Sequence, residues 1–304
     1  MPEQPQKTQE EGAKDVFYTI QEALEQKKGA LIGRFGTIEF HVLLGRGSAG
    51  GGLEVLERNA GIFPITPQSI QTWRTSYERA VKGADILATG WHEPIVADEQ
   101  KYLTRIGWKG KQVRLRSLEP YYLAVAKDRW TNLLAGRRVC VVSSFTQTFQ
   151  KQIKKGEEVI WPGAGGSIWP SASGTEWSFV QTGYAPVLAQ GRAGWNEVID
   201  CDKEINSWMD AEAEVRRKVL ATEAEIVLIG CGGMGMPLAG KLKEAGKICI
   251  VLGGAIQILF GVKGGRWASH PVISRFFTSE WVWPAAEETP AASTEVEGGC
   301  YWRR

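Results

Sequence analysis

The chain has 304 residues, 43% of them apolar and 23% charged, which is enough for an ordinary hydrophobic core. A formal net charge of +2 with scattered basic residues argues against nucleic-acid binding, and five cysteines without a Cys-x-x-Cys pair argue against a zinc site. The polar start contains no signal peptide, and the most apolar segment, 248–262, is too short and too polar to be a transmembrane segment. We therefore expect a cytoplasmic protein, with peripheral association at the inner membrane face left open.

Predicted strands and helices alternate along the chain. Residues 1–13, rich in Gln, Glu, Lys and Pro, are predicted to form a disordered tail. Apolar runs predict strands at 30–35, 85–88, 137–142, 225–229 and 247–252. Helical periodicity predicts helices at 14–28, 37–43, 67–82, 98–106, 118–134, 145–154, 234–245 and 255–262, and a long amphipathic helix within 195–220. With a polar C-terminal tail at 285–304, the sequence predicts one α/β domain over 14–284.

This alternation predicts a Rossmann-like α/β fold, in which a mostly parallel sheet is covered by helices on both faces. In such sheets, ligands bind at the carboxyl ends of the strands. Three predicted strand ends carry glycine, hydroxyl or charged residues suited to a ligand: residues 34–39, 143–144 and 230–235. At the second of them, Ser143 and Ser144 are candidates for hydrogen bonds to phosphate or ribose.

Residues 230–235 match the pattern Gly-x-Gly-x-x-Gly between a predicted strand and a predicted helix. Gly230, Gly232 and Gly233 would let a phosphate approach the backbone at a helix N-terminus. The pattern favours an NAD(P)-dependent oxidoreductase as one alternative. Two features argue against that alternative: the motif comes late in the chain, and no acidic residue follows the next strand to bind a ribose. A tight packing turn without a ligand is the other interpretation.

A second glycine-rich region follows the next predicted strand. Its candidate nucleotide-binding residues are Gly253, Gly254, Gln257, Lys263, Arg266 and Trp267. The two cations suit a diphosphate, and the indole is able to stack on a base or a sugar. A surface turn with solvated charges would give the same pattern.

Arg34 and Glu39 flank the first strand-to-helix turn, which also contains Gly36 and Thr37. Thr37 is a candidate helix N-cap. Glu39 in the first helical turn is either a capping residue or a site residue that binds a metal or orients an acceptor hydroxyl. A secondary candidate for acceptor contact is the segment 91–93, Trp-His-Glu.

The segment 30–39 resembles the N-terminal motif of GT-D-type glycosyltransferases, usually Arg-x-Gly-Asp-x-Glu. Further segments are similar to uncharacterised relatives encoded near polysaccharide genes in bacteria and in large viruses: 229–232, 236–239, 253–261, 263–267 and 297–302. The resemblance implies a Rossmann-like fold and transfer of a sugar from a nucleotide sugar, first of all a UDP-sugar. The acceptor would be a hydroxyl of a glycan or a lipid-linked glycan.

The chain departs from that motif at Thr37, where the family has Asp. By resemblance, Glu39 remains as the ligand of a divalent metal such as Mn²⁺ or Mg²⁺, and the missing Asp puts that metal in doubt. Arg34 and Glu39 are the predicted catalytic residues, with Gly36 and Thr37 at the nucleotide sugar. A protein that binds a nucleotide or sugar without turning it over is a further alternative.

Overall fold

The computed structural model describes residues 7–46, 52–164, 166–170 and 174–303. Within them, seven strands form a single all-parallel sheet in the order β3-β2-β1-β7-β6-β4-β5. The strands are β1 (Ala30–Arg34), β2 (Ile86–Ala88), β3 (Lys111–Val113), β4 (Arg138–Ser143), β5 (Glu176–Gln181), β6 (Ile226–Gly230) and β7 (Ile248–Val251). The predicted Rossmann-like α/β class is confirmed.

Thirteen α-helices connect and cover these strands in the described part of the chain. They are α1 (Gln9–Glu25), α2 (Thr37–Leu43), α3 (Glu54–Ala60), α4 (Pro67–Gly83), α5 (Val96–Arg105), α6 (Thr146–Lys155), α7 (Glu157–Ile160), α8 (Pro186–Ala189), α9 (Trp195–Val198), α10 (Trp208–Ala221), α11 (Gly235–Glu244), α12 (Ala255–Leu259) and α13 (Gly265–Ala268). None of the described helices combines the length and apolar character needed to cross a bilayer.

Successive strand residues point to opposite faces of the sheet, and both faces are buried. On one face, Leu31 and Val227 pack in a core that includes Trp73 of α4 and Trp208 of α10. On the other face, neighbouring strand residues such as Ile32 pack in a second core with residues of α1, α6 and α12. Burial on both faces explains why the central strands are continuous apolar runs, as the sequence indicated.

The two edge strands, β3 and β5, were not predicted. Lys111 and Gln112 are exposed and only Val113 is buried in β3. In β5 only Val180 is buried. An edge strand has one neighbour and more contact with water, so it lacks the apolar run on which the prediction of a strand depends.

The predicted helix at 118–134 is wrong, because this segment folds as a series of short 3₁₀ turns. Side chains bond the carbonyl groups there: the Trp130 indole donates to Leu118 (3.0 Å) and the Arg129 guanidinium donates to Leu123 (2.9 Å). The segment 195–220, predicted to include a long helix, contains two helices, the short α9 and the longer α10. The N-cap of the second is Ser207, whose hydroxyl accepts a hydrogen bond from the backbone N–H of Asp210.

Both predicted tails are partly folded. Helix α1 begins at Gln9, inside the predicted disordered tail, because Thr8 and Glu11 form a reciprocal capping box. Residues 1–6 of that tail lie outside the described residues. At the other end, residues 285–303 pack on the sheet, where the buried Glu288 carboxylate accepts from the backbone N–H groups of Gln147 (2.7 Å) and Thr148 (3.2 Å) at the start of α6.

Candidate functional site

A cavity of about 220 Å³ opens at the carboxyl ends of β1, β4, β6 and β7. Strands β4 and β6 are neighbours, yet the chain leaves β4 toward β5 on one side and leaves β6 toward β7 on the other. This makes the β4–β6 pair a topological switch point, the place where open α/β sheets bind ligands. Ser143 pairs with Gly230 across that point.

Ten of the predicted site residues line this cavity, although they come from segments far apart in the sequence. They are Arg34, Gly36, Thr37, Glu39, Ser144, Gly230, Gly232, Gly253, Gly254 and Arg266. The parallel sheet brings them together because all its strands end at the same edge.

Arg34 is the charged residue at the end of β1. Its guanidinium carbon lies 4.7 Å from the centre of the Trp91 indole ring, and its Nε donates to the Phe35 carbonyl (3.2 Å). Among the described residues, no carboxylate forms an ion pair with it. A Cβ atom at Gly253 would lie 3.6 Å from Arg34 Nη1, so the glycine leaves room beside the guanidinium. Both terminal nitrogens of Arg34 therefore remain donors for an anionic ligand.

Glu39 lines the cavity at the first turn of α2. The N-cap of this helix is Gly36 and not Thr37, so the predicted Thr37 cap is wrong. The Glu39 carboxylate folds back toward the Cα atom of Gly36, the N-cap residue. Burial raises the pKa of the Glu39 carboxyl, while its own backbone N–H and the charge of Arg34 oppose the shift. Glu39 thus lies beside the N-cap residue of α2 and also lines the cavity.

The floor of the cavity is formed by turns that approach each other closely. A Cβ atom at Gly230 would lie 2.8 Å from the Gly253 carbonyl oxygen. Gly232 has a φ of +60°, and a Cβ atom there would lie 2.7 Å from the Ala60 carbonyl oxygen. These glycines are required for packing, as the packing-turn interpretation expected, and they also present bare backbone to the cavity.

Four further predicted site residues do not line the cavity: Ser143, Gly233, Gln257 and Trp267. Ser143 and Gly233 are buried, and the Ser143 hydroxyl accepts from the Phe145 N–H (3.3 Å). Gln257 donates to the Tyr301 carbonyl (2.9 Å), and the Trp267 ring packs 6.1 Å from that of Tyr301.

The two predicted cations of the second glycine-rich region differ in position. Lys263 does not line the cavity, and its ammonium lies 5.7 Å from the centre of the Phe277 ring. Arg266 does line it, but its Nη2 is 2.5 Å from Glu297 Oε2 and its guanidinium lies over Tyr301. An ion pair already balances the charge of Arg266, so of these two cations neither offers the cavity an unpaired charge.

Several residues that line the cavity were not singled out from the sequence. They are Arg58, Asn59, Tyr77, Thr182, Tyr184, Trp195, Tyr301 and Trp302. Trp91 belonged to the secondary candidate segment, and it lines the cavity whereas His92 does not. The aromatic members form walls suited to stacking on a base or a sugar ring. Of these residues, Tyr301 and Trp302 lie in a segment of the family resemblance, whereas Arg58 and Trp195 follow no motif.

The described carboxylates do not form a metal site by themselves. No group of three or more His, Cys, Asp or Glu residues that would hold a metal occurs in the described part of the chain. The cavity is lined by two described carboxylates, Glu39 and Glu297, and the second is paired with Arg266. Hard cations such as Mg²⁺ prefer several oxygen ligands, so the side chains present fit such an ion poorly.

A comparison with protein-family models, curated proteins and solved structures gives no match to this chain. The chemistry of the cavity residues is therefore the basis for a functional inference.

Proposed function

We propose that this protein is a glycosyltransferase that moves a sugar from a nucleotide sugar to a hydroxyl of a glycan or lipid-linked glycan. The observation that carries the proposal is Arg34: a half-buried guanidinium that forms no ion pair with the described residues, in a cavity at the switch point of a parallel sheet. Arginine binds phosphate through two parallel hydrogen bonds, so a diphosphate is the natural ligand for this side chain.

The other walls support the same ligand class. Backbone at Gly230 and Gly253 allows the close approach of a diphosphate. Tyr184, Trp195 and Trp302 offer rings for a base and a sugar. A UDP-sugar is the first donor to test. The NAD(P) alternative has less support, because the turn after β7 carries no acidic side chain to bind ribose hydroxyls.

In the proposed reaction, the acceptor oxygen attacks the anomeric carbon of the donor sugar. The bond from that carbon to the diphosphate oxygen breaks, and the nucleoside diphosphate leaves with the electron pair. Arg34 stabilises the charge that develops on the diphosphate. Glu39 takes the proton of the acceptor hydroxyl, a role favoured by the raised pKa of its carboxyl. Because the carboxylates fit a metal poorly, each of these steps is assigned to a side chain.

A thermal-shift screen tests this proposal. We expect at least one of the UDP-, GDP-, CMP- or dTDP-sugars, with or without Mn²⁺, to raise the melting temperature by about 5 °C at 100 times its Kd. NADH and NADPH are the controls and should cause no shift. Absence of a shift with every nucleotide sugar would contradict the proposal, and a shift with NADH would favour the oxidoreductase.

A non-catalytic nucleotide- or sugar-binding protein is the second candidate, because Thr37 lines the cavity where the resembling family has Asp. Release of UDP from the donor that binds separates the two functions. In Mn²⁺ we expect Thr37→Asp to release UDP several times faster than wild type, because it adds a second carboxylate beside Glu39. Thr37→Asn, which adds the shape without the charge, should not. If wild type and both variants bind the donor without releasing UDP, the protein is a binder.

A further inference from the structure

A second arginine without an acidic partner lines the same cavity. Arg58 lies in the last turn of α3 and is half-buried. Its Nε donates to the side-chain oxygen of Asn59 (3.2 Å), and no carboxylate pairs with it among the residues in the described ranges. Burying part of a charged side chain beside a cavity is unfavourable unless the charge is paired or solvated. Arg58 therefore has unused hydrogen-bond donors, as Arg34 does.

Arg58 approaches the cavity from a different wall than Arg34. Helix α3 packs on the turn after β6, since a Cβ atom at Gly232 would touch the Ala60 carbonyl oxygen. Arg34 is the last residue of β1 and lies beside Gly253. Strand β7 lies between β1 and β6, which separates the two strand ends by two strand spacings, about 10 Å.

Trp195 adds a third polar group to the cavity that Arg58 lines. Helix α3 also packs against α8, whose Leu188 lines the cavity together with Trp195. The Nε1 atom of Trp195 is buried and has no hydrogen-bond partner among the residues that the structure describes. Because a buried indole N–H normally finds an acceptor, a ligand oxygen is a suitable partner for it.

We propose that Arg58, together with Asn59 and the Trp195 indole N–H, forms a second anion subsite that binds an acidic group of the acceptor, a phosphate or a carboxylate. This inference rests on the proposed function, in which Arg34 binds the donor diphosphate. The competing explanation is structural: a cation in the last turn of a helix interacts favourably with the helix dipole. That explanation does not require Arg58 to affect any ligand.

Isothermal titration calorimetry separates the two subsites. Wild type, Arg58→Gln and Arg34→Gln are first titrated with UDP, and we expect only Arg34→Gln to bind it more weakly. Protein saturated with UDP is then titrated with glycerol 1-phosphate, with glucuronate and with glycerol. We expect wild type to bind at least one of the two anions, Arg58→Gln to bind that anion about 10-fold more weakly, and neither to bind glycerol. The preferred anion identifies the acidic group as a phosphate or a carboxylate.

Two further variants serve as controls. Arg105→Gln removes the same charge from an exposed arginine outside the cavity and should bind the anions as wild type does. Asn59→Asp keeps Arg58 but places a carboxylate beside it, and should weaken anion binding as Arg58→Gln does.

Three outcomes would overturn the subsite. UDP binding weakened as much by Arg58→Gln as by Arg34→Gln would assign Arg58 to the donor. Binding of neither anion by UDP-saturated wild type, or equal anion binding by wild type and Arg58→Gln, would leave Arg58 with the structural role only. If wild type does not bind UDP, the UDP-based function fails separately, and the anions are titrated on the free protein. If the free wild-type protein binds an anion and free Arg58→Gln does not, the subsite is still supported.

Discussion

Arg34→Gln is expected to lower the affinity for the nucleotide sugar by about 100-fold, as measured by isothermal titration calorimetry. The variant loses two charge-assisted hydrogen bonds to the diphosphate, together worth about 3 kcal/mol. Arg34→Lys keeps the charge but loses the planar fork, so we expect an intermediate loss of about 10-fold. Both variants should fold, because the guanidinium makes no ion pair among the described residues and stacks on a single ring.

Lys263→Gln is the matched control for this prediction. The sequence placed Lys263 beside the phosphates, whereas in the structure it lies over Phe277 and outside the cavity walls. Its replacement should leave the affinity unchanged. Equal losses from Lys263→Gln and Arg34→Gln would mean that the ligand contacts a surface other than this cavity, and would contradict the assignment of Arg34 to the diphosphate.

The parts of the fold that could be predicted are those for which burial leaves a pattern in the sequence. The five central strands are apolar on both faces, and each could be recognised as a short apolar run. The edge strand β3 begins with Lys111 and Gln112 and gives no such signal. At 118–134 helical periodicity was misleading, because side chains such as Arg129 and Trp130 satisfy the backbone carbonyl groups in place of a helix.

The same distinction applies to the candidate site. Residues at the carboxyl ends of parallel strands, such as Arg34, Gly230 and Gly253, could be expected to converge, and they line one cavity. Arg58 and Trp195 come from helices that only tertiary packing brings to that cavity, so no local pattern marks them. The sequence also does not reveal which cation is already paired: Arg266 looked like a phosphate ligand, but Glu297 neutralises it.

Glu99 gives the second large effect, a dependence of stability on pH. Its side chain is fully buried, Oε2 accepts from the backbone N–H of Gly90 (2.8 Å), and Oε1 has no hydrogen-bond partner in the described part of the chain. Burial raises the pKa of the Glu99 carboxyl to about 7, although the Gly90 hydrogen bond and the charge of Arg34 oppose the shift. The folded protein therefore holds this proton at pH values where the unfolded chain, with a glutamate pKa near 4.5, has lost it.

The sign of the effect follows from linkage. Because the folded pKa lies above the unfolded one, the contribution of Glu99 is fully present below pH 4.5 and is lost as the pH rises through 7. The loss is about 3 kcal/mol of unfolding free energy. Other buried carboxyls shift in the same direction, so the test compares variants. Between pH 5 and pH 8, the unfolding free energy of Glu99→Gln in urea denaturation should fall by about 2.5 kcal/mol less than that of wild type.

Glu93→Gln, at an exposed position near the same loop, is the control and should follow wild type. Parallel pH profiles of the unfolding free energy for wild type and Glu99→Gln would show that the carboxyl titrates alike in the folded and unfolded chains, and would contradict this prediction.

The ionisation of Glu99 also has a consequence for the cavity, because Gly90 directly precedes Trp91, on which Arg34 stacks. Ionisation of Glu99 places a negative charge that attracts the Arg34 guanidinium and competes with a donor diphosphate for it, so we expect donor affinity to weaken above pH 7 in wild type and to change less in Glu99→Gln.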